Sequence, residues 1–171
     1  MKLVNVSVDH RYSVDDIAPT PWSDIERIFA DTEIYALTTL LPDGMAHTIP
    51  VSGLWSERGF FFTSGPTEQK VQNLLANPRA SVHVGSSHFF EGVDIVLRGP
   101  VERVSDIETL TWMRDAFVAK YGEFWTFGIG EDAFINHHGW PSWCFLLTPT
   151  VGYSFTRAEA TAQTKYEFSH P

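Results

Sequence analysis

The chain contains a single cysteine in 171 residues, Cys144, so no internal disulfide can form and the fold must rest on its core. The run Trp143-Cys144-Phe145-Leu146-Leu147 predicts a buried, inert thiol in a reducing compartment. Basic residues are also few: 12 Lys and Arg stand against 21 Asp and Glu, a formal charge of −9. Such a chain repels nucleic acid and anionic membranes, and it can hold a phosphate only in a local site strong enough to oppose the overall field. No apolar run approaches the ~20 residues of a membrane span. No basic, hydrophobic leader is expected either, because Asp9, Asp15 and Asp16 interrupt the first residues. A cytoplasmic protein with no nucleic-acid or membrane partner follows as the expectation. Catalytic signatures are missing too. There is no Gly-x-Ser-x-Gly elbow for a hydrolase. Gly128-Ile129-Gly130 lacks the third glycine and the following helix of a dinucleotide loop, and no Walker sequence is present. The histidines show no His-x-x-x-His or Cys/His spacing, and His137 and His138 are adjacent and so diverge. No metal site is expected.

What is present is a folded chain, 43% hydrophobic and 19% charged, of a length that suits one domain over 1–171. Residues 1–20 read as an irregular N-terminal arm. Trp22, Ile25, Ile28 and Phe29 fall at helical spacing with acids in the first turn, which predicts a helix over 21–31. Ile34–Leu41 and Met45–Ser56 read as strands joined by the tight turn Pro42-Asp43-Gly44. Pro50 inside the second strand predicts an edge or a bulge. Gly92–Val104 reads as a long strand that Gly99-Pro100 bends, with a bulge there. Ser105 to Glu108 has the pattern of a capping box, and Leu110, Met113, Phe117 and Tyr121 continue a helix over 106–121. The aromatic, glycine-rich stretch 124–141 must bury its rings against something. Strands over 143–148 and 151–155 follow, and 157–171 reads as a C-terminal tail that includes a last short strand or extended piece over 163–168.

The stretch from Gly59 to Val84 carries the functional signal. Phe60-Phe61-Phe62 has strand composition, and Thr63-Ser64-Gly65-Pro66-Thr67 supplies hydroxyls and a turn. Pro66 suits the first helical position, and Val71, Leu74 and Leu75 make one apolar helix face with Lys70 and Asn73 beside it. A helix start presents unpaired N–H groups, and three hydroxyls and one lysine stand next to it, so the pattern favours an anion. The same pattern also serves as an ordinary capped connector between two strands.

The order of these motifs resembles the flavin-binding split-barrel family, the pyridoxamine 5′-phosphate oxidase-like proteins. That family carries a strand ending in Phe/Tyr-x-Thr-Ser, a short loop, a helix running Lys-x-x-Asn-Leu, then Asn-Pro-Arg and a valine-rich strand. Here these are Phe61 to Ser64, Lys70 to Leu74, and Asn77-Pro78-Arg79 to Val82. The hairpin with His47-Thr48-Ile49-Pro50-Val51 and the later Val96-Leu97-Arg98-Gly99-Pro100-Val101 match as well. The resemblance covers roughly 30–106. It implies a mainly β fold with flanking helices, a split β-barrel of about six antiparallel strands, with a flavin-type cofactor in a groove between two subunits of a homodimer. It further implies that His47, Thr48, Ile49, Pro50 and Val51 run along the ring and ribityl chain. The cofactor phosphate is expected at Thr63, Ser64, Thr67 and Lys70, with Gln69 and Asn73 as further cofactor-binding residues. Where the family often has two basic residues in this clamp, Thr67-Glu68-Gln69-Lys70 has one, beside an acid. The cofactor is F420 or FMN, with a lean to the deazaflavin from that thinned clamp and from the closing Gln163-Thr164-Lys165-Tyr166-Glu167-Phe168. The implied activity is hydride transfer to a small organic substrate, with no catalytic acid or base named. The sequence shows no basic cluster of the kind that pyridoxamine phosphate oxidation needs. The alternative is a non-catalytic flavin carrier or sensor, or a split barrel that has lost its cofactor.

Overall fold

Six antiparallel strands close into a barrel because two of them, the longest, each belong to two sheets. The computed structural model describes residues 1–157 and 161–169. In chain order the barrel strands are β2 (Ile34–Leu40), β3 (Ala46–Ser56), β4 (Gly59–Ser64), β5 (Arg79–Val84), β6 (Val93–Val104) and β9 (Pro141–Leu147). Around the barrel they run β6-β5-β2-β3-β4-β9, and a β6–β9 pairing closes the ring. β6 pairs with β5 through Pro100, then with β9 over Val101–Val104. The corner lies at Gly99-Pro100, as the sequence predicts, but the β5–β6 register runs through it without a bulge. A Cβ at Gly99 would sit 2.0 Å from the Thr148 carbonyl oxygen, so only glycine lets β6 pass that close. Pro50 also sits where expected: β4 begins to pair with β3 only at Gly53, so the half of β3 holding Pro50 has a strand on one side alone.

Outside the ring, β10 (Val151–Thr156) extends the sheet from β6, followed by β11 (Ala162–Ser169) and β1 (Lys2–Val8). The first residues are therefore not the irregular arm expected over 1–20. Lys2–Val8 pairs antiparallel with β11, and Leu3 and Val6 pack on the core. The expected tail is largely strand as well, with residues 158–160 and 170–171 outside the described residues. The closing motif is core material: Tyr166 and Phe168 are buried, with their rings 5.2 and 4.8 Å from Trp22. Trp22 opens helix α1 (Trp22–Asp31), which closes one end of the barrel with Ile25 and Phe29.

β4 shows why Phe60-Phe61-Phe62 does not alternate with polar residues. Phe60 and Phe62 point into the barrel among Tyr35, Leu37, Val82, Leu97 and Phe145. Phe61 points the other way, into a second core under helix α3 (Ile107–Tyr121), with Leu110, Met113 and Phe117. A strand buried on both faces reads as a continuous apolar run, and each such phenylalanine contributes roughly 1.5–3 kcal/mol by burial. The cap of α3 is Asp106, whose side chain accepts from the Thr109 N–H at 2.8 Å, one residue after the serine of the predicted capping box. The glycine-rich stretch joins this second core through a 3-10 turn (Glu123–Trp125) and two short strands, β7 (Gly128–Ile129) and β8 (Phe134–Ile135). Trp125 stacks on Phe117 and Phe127 on Phe134. Most of its rings are thus satisfied within one chain, while Phe124 and Trp140 stay exposed.

Candidate functional site

Helix α2 (Gln69–Ala76) lies beside the β2–β3 hairpin at the barrel end opposite α1, where Asn73 bonds Thr39 and Thr39 pairs with His47, while Val51 pairs with Tyr35 toward the other end. Register sorts the β3 residues by face. His47, Ile49 and Val51 pair with Thr39, Leu37 and Tyr35, whose side chains are buried in the barrel. Thr48 and Pro50 pair with Thr38 and Ala36 and face outward, and the Thr48 and Thr38 hydroxyls share a hydrogen bond of 2.8 Å. Among the described residues no strand pairs with Ala46 to Ser52 on the side of β3 away from β2, so that edge keeps free backbone donors and acceptors.

Helix α2 starts later than predicted. Pro66 and Thr67 belong to a turn in which the Glu68 N–H bonds the Gly65 carbonyl, and the first helical residue is Gln69. Thr67 is exposed and stands outside the helix. Lys70 departs further from expectation. It does not flank the apolar face in solvent but is 8% exposed, with its ammonium held by the Glu68 carboxylate. Asn73 is buried, donates to the Thr39 hydroxyl at 2.9 Å and accepts from the Gln69 amide at 2.8 Å, so it ties α2 to β2. The Thr63 hydroxyl lies 3.1 Å from both the Ser142 hydroxyl and the Trp143 carbonyl and braces β9.

At the turn before α2 the donors do converge, and they converge on Glu68. The Gly65 N–H donates to its Oε1 at 2.7 Å and the Lys70 ammonium to its Oε2, while the Ser64 hydroxyl turns to the Gly65 carbonyl at 3.3 Å. Burial pushes this carboxyl upward, but the bonds from Lys70 and Gly65 prevail and hold it below its ordinary range. The chain has built an anion nest and seats its own side chain in it. At the same barrel end the Nδ1 of His47 is buried with no hydrogen-bond partner among the described residues. An unpaired buried polar atom costs about 1–3 kcal/mol, so it is a place where a ligand's polar group gains more than it would in water.

The opposite end of the barrel holds a polar group that sequence reasoning missed. The Lys120 ammonium, at the last turn of α3, donates to the Tyr35 hydroxyl at 2.8 Å and the Gly53 carbonyl at 3.2 Å. The Tyr121 hydroxyl also donates to Gly53. Burial lowers the Lys120 ammonium from 10.5 to about 8. Only its place in the last turn of a helix signals it, and that is where lysine commonly sits.

Residues 23–133 match the family model described as pyridoxamine 5′-phosphate oxidase, which is more than half of the chain. The chain belongs to the pyridoxamine 5′-phosphate oxidase family. It is a family of flavin- and F420-binding, oxidoreductase-like proteins. No curated protein matches the sequence. Among solved structures, an F420 reductase is 20% identical, covering 74% of this chain and 94% of its own, with a TM-score of 0.56. A FAD-binding protein from Mesorhizobium loti is 16% identical, covering 97% and 99%, with a TM-score of 0.54. The haem storage protein HutZ from Vibrio cholerae is 14% identical, covering 74% and 88%, with a TM-score of 0.58. At these identities the likeness shows the shared split-barrel fold. Haem-binding proteins thus stand beside flavin-binding ones among the neighbours of this family member. Among the described residues no helix is long and apolar enough to cross a membrane.

Proposed function

We propose that this family member is an oxidoreductase that binds FMN or F420 on the outside of its barrel and transfers hydride to a small organic substrate. The observation that carries the reading is the nest before α2, where the Gly65 N–H and the Lys70 ammonium meet one carboxylate, with the Ser64 hydroxyl beside them. Donors so arranged suit a phosphate in kind, and Glu68 stands in for it. From the nest the cofactor lies along the open edge of β3, over His47, Thr48, Ile49, Pro50 and Val51. There Thr48 and the backbone groups face the ligand, and the orphaned Nδ1 of His47 waits at the barrel end. Thr63, Thr67, Gln69 and Asn73 shape the turn and the start of α2 around the phosphate. The barrel interior is filled by Tyr35, Phe60, Phe62 and Leu97, which keeps a flavin-sized ring outside. Bound there, the ring supplies the hydride chemistry, and the residues of the chain orient it and exclude water. A homodimer completes the groove. The exposed rings of Phe89, Phe90, Phe124 and Trp140 support that partner surface.

A second reading has its own observation. Each donor of the nest is already satisfied inside the chain, which suits a non-catalytic flavin carrier or sensor, or a barrel that has lost its cofactor. The test is the absorbance of freshly purified protein, followed by fluorescence titration with FMN and with F420 and an absorbance titration with haem. Saturable quenching of FMN or F420 supports the proposal. No binding of either at roughly 1 mM, where a complex is worth only about 4 kcal/mol, refutes it. A bound cofactor that is reduced and reoxidised no faster than in free solution identifies the carrier.

A further inference from the structure

The outer face of the barrel carries a charge arrangement that the sequence hides. Five of the eight arginines, Arg11, Arg27, Arg103, Arg114 and Arg157, have a carboxylate within 3.3 Å. Arg58 is turned onto the Thr109 hydroxyl and the Phe61 ring. Arg79 and Arg98 have no ion pair among the described residues, in a chain of formal charge −9. They lie 19 positions apart in sequence, but the β5–β6 register sets Ser81 opposite Arg98 and Arg79 opposite Pro100. The two arginines are therefore diagonal neighbours on one face, roughly 7 Å apart at the backbone. Together with Thr38, Leu40, Ser81 and Thr150 they line a cleft of about 400 Å³, and no acid is among its lining residues. Arg98 lies against the Tyr153 ring, 5.3 Å from its centroid, with a 3.3 Å bond to the hydroxyl, which limits the freedom of its guanidinium. Glu167, across β10 from Arg98, is already engaged by Asn5 and Lys165.

We propose that this cleft is a binding site for an oxyanion, a phosphate or carboxylate carried by a small-molecule ligand. Two guanidinium forks can each present paired N–H donors to such a group, and Ser81 adds a hydroxyl beside them. The acidic surface makes the cleft selective by position, since the repulsion that excludes anions elsewhere is locally reversed. The site is separate from the nest before α2 and does not depend on the cofactor assignment. It is nonetheless continuous with the cofactor strand. Thr48, Thr38, Ser81 and Arg98 form one cross-strand row on the outward face. Three strand spacings make that row about 14 Å long, so a ligand anchored at Arg98 can reach Thr48 with its other end.

The test uses isotope-labelled protein titrated with inorganic phosphate and with acetate at constant ionic strength, read by amide chemical shifts. The expected result is saturable shifts at Thr38, Ser81 and Arg98, weakened at least tenfold in the double variant Arg79→Gln/Arg98→Gln and retained in Lys70→Ala. Tighter phosphate than acetate assigns a phosphate group, and the reverse assigns a carboxylate. Shifts that do not saturate, or that survive in the double variant, overturn the proposal. A second measurement needs no variant. Phosphate is expected to slow phenylglyoxal modification of Arg79 and Arg98, read by mass spectrometry, and unchanged rates at both overturn it equally.

Discussion

Replacing Glu68 by glutamine is expected to tighten cofactor binding, the reverse of what loss of a charged site residue usually does. The Glu68 carboxylate holds the Gly65 N–H and the Lys70 ammonium that a cofactor phosphate needs. A phosphate can enter only as that carboxylate swings out. A charge-assisted hydrogen bond is worth roughly 1.5–3 kcal/mol, and the Glu68 side chain is 50% exposed, so screening reduces the cost of displacing it to about 1–2 kcal/mol. At about 1.4 kcal/mol per factor of ten, Glu68→Gln is expected to bind FMN or F420 about 5- to 30-fold more tightly than the natural chain. Lys70→Ala is expected to lose about tenfold or more, and the double variant to fall between the two single variants, because Glu68 occupies the Gly65 N–H as well as Lys70. Calorimetric titration of the three variants reads this directly. If Glu68→Gln binds no more tightly than the natural chain, Glu68 is not a stand-in for the phosphate and the nest is only a capped turn. The pH dependence gives an independent check. A carboxyl held below its ordinary 4.5 stabilises the fold above that pH and loses this contribution as pH falls through its lowered value. The acid limb of the stability profile is therefore expected to flatten in Glu68→Gln, and cofactor binding by the natural chain to strengthen as Glu68 becomes protonated.

Lys120 points the other way: its lowered value means that the fold disfavours the ammonium, so stability is expected to rise with pH from about 8 toward 10.5. Lys120→Met leaves Tyr35 bonded to Phe29 and Gly53 to Tyr121, and is expected to stabilise the protein by about 1 kcal/mol at pH 7, after allowance for partial exposure, in urea melts. A destabilised Lys120→Met would show that the ammonium is a net contributor. Burial pushes the Cys144 thiol up to about 12, so a thiol reagent is expected to label native protein far more slowly than unfolded chain. Equal rates would contradict a buried strand position. Light scattering is expected to give twice the 19.3 kDa of one chain, and a clean monomer at micromolar concentration would remove the groove between subunits.

The barrel was legible because its signals are local. Asp43-Gly44 sets a hairpin, Pro50 marks the open half of β3, and Gly99-Pro100 marks the corner of β6. The N-terminal strand was not, because Lys2–Val8 is half polar and owes its order to pairing with β11, more than 150 residues away. The glycine-rich stretch was legible in composition but not in consequence. Its rings call for burial, and nothing in the sequence tells that Phe117 and Phe134 supply it from within the same chain.

The site was harder for a specific reason. Sequence reasoning locates donors by type and spacing, and it found the turn from Thr63 to Lys70 on those grounds. It cannot say which acceptor the donors choose. Glu68 looked like a departure from the family's clamp, yet its side chain makes two of the contacts that define the nest. A single basic residue attracts a phosphate less than the two that the family often carries, and the Glu68 carboxylate adds a charge of the same sign as the proposed ligand. Arg79 and Arg98 show the converse. Neither belongs to a basic run, and only antiparallel register places them side by side. In a chain of charge −9, Lys70 is paired with Glu68 while Arg79 and Arg98 have no ion pair among the described residues, a division set by tertiary position. The binding behaviour of Glu68→Gln and of the Arg79/Arg98 double variant then tests two separate electrostatic devices, and either can fail without the other.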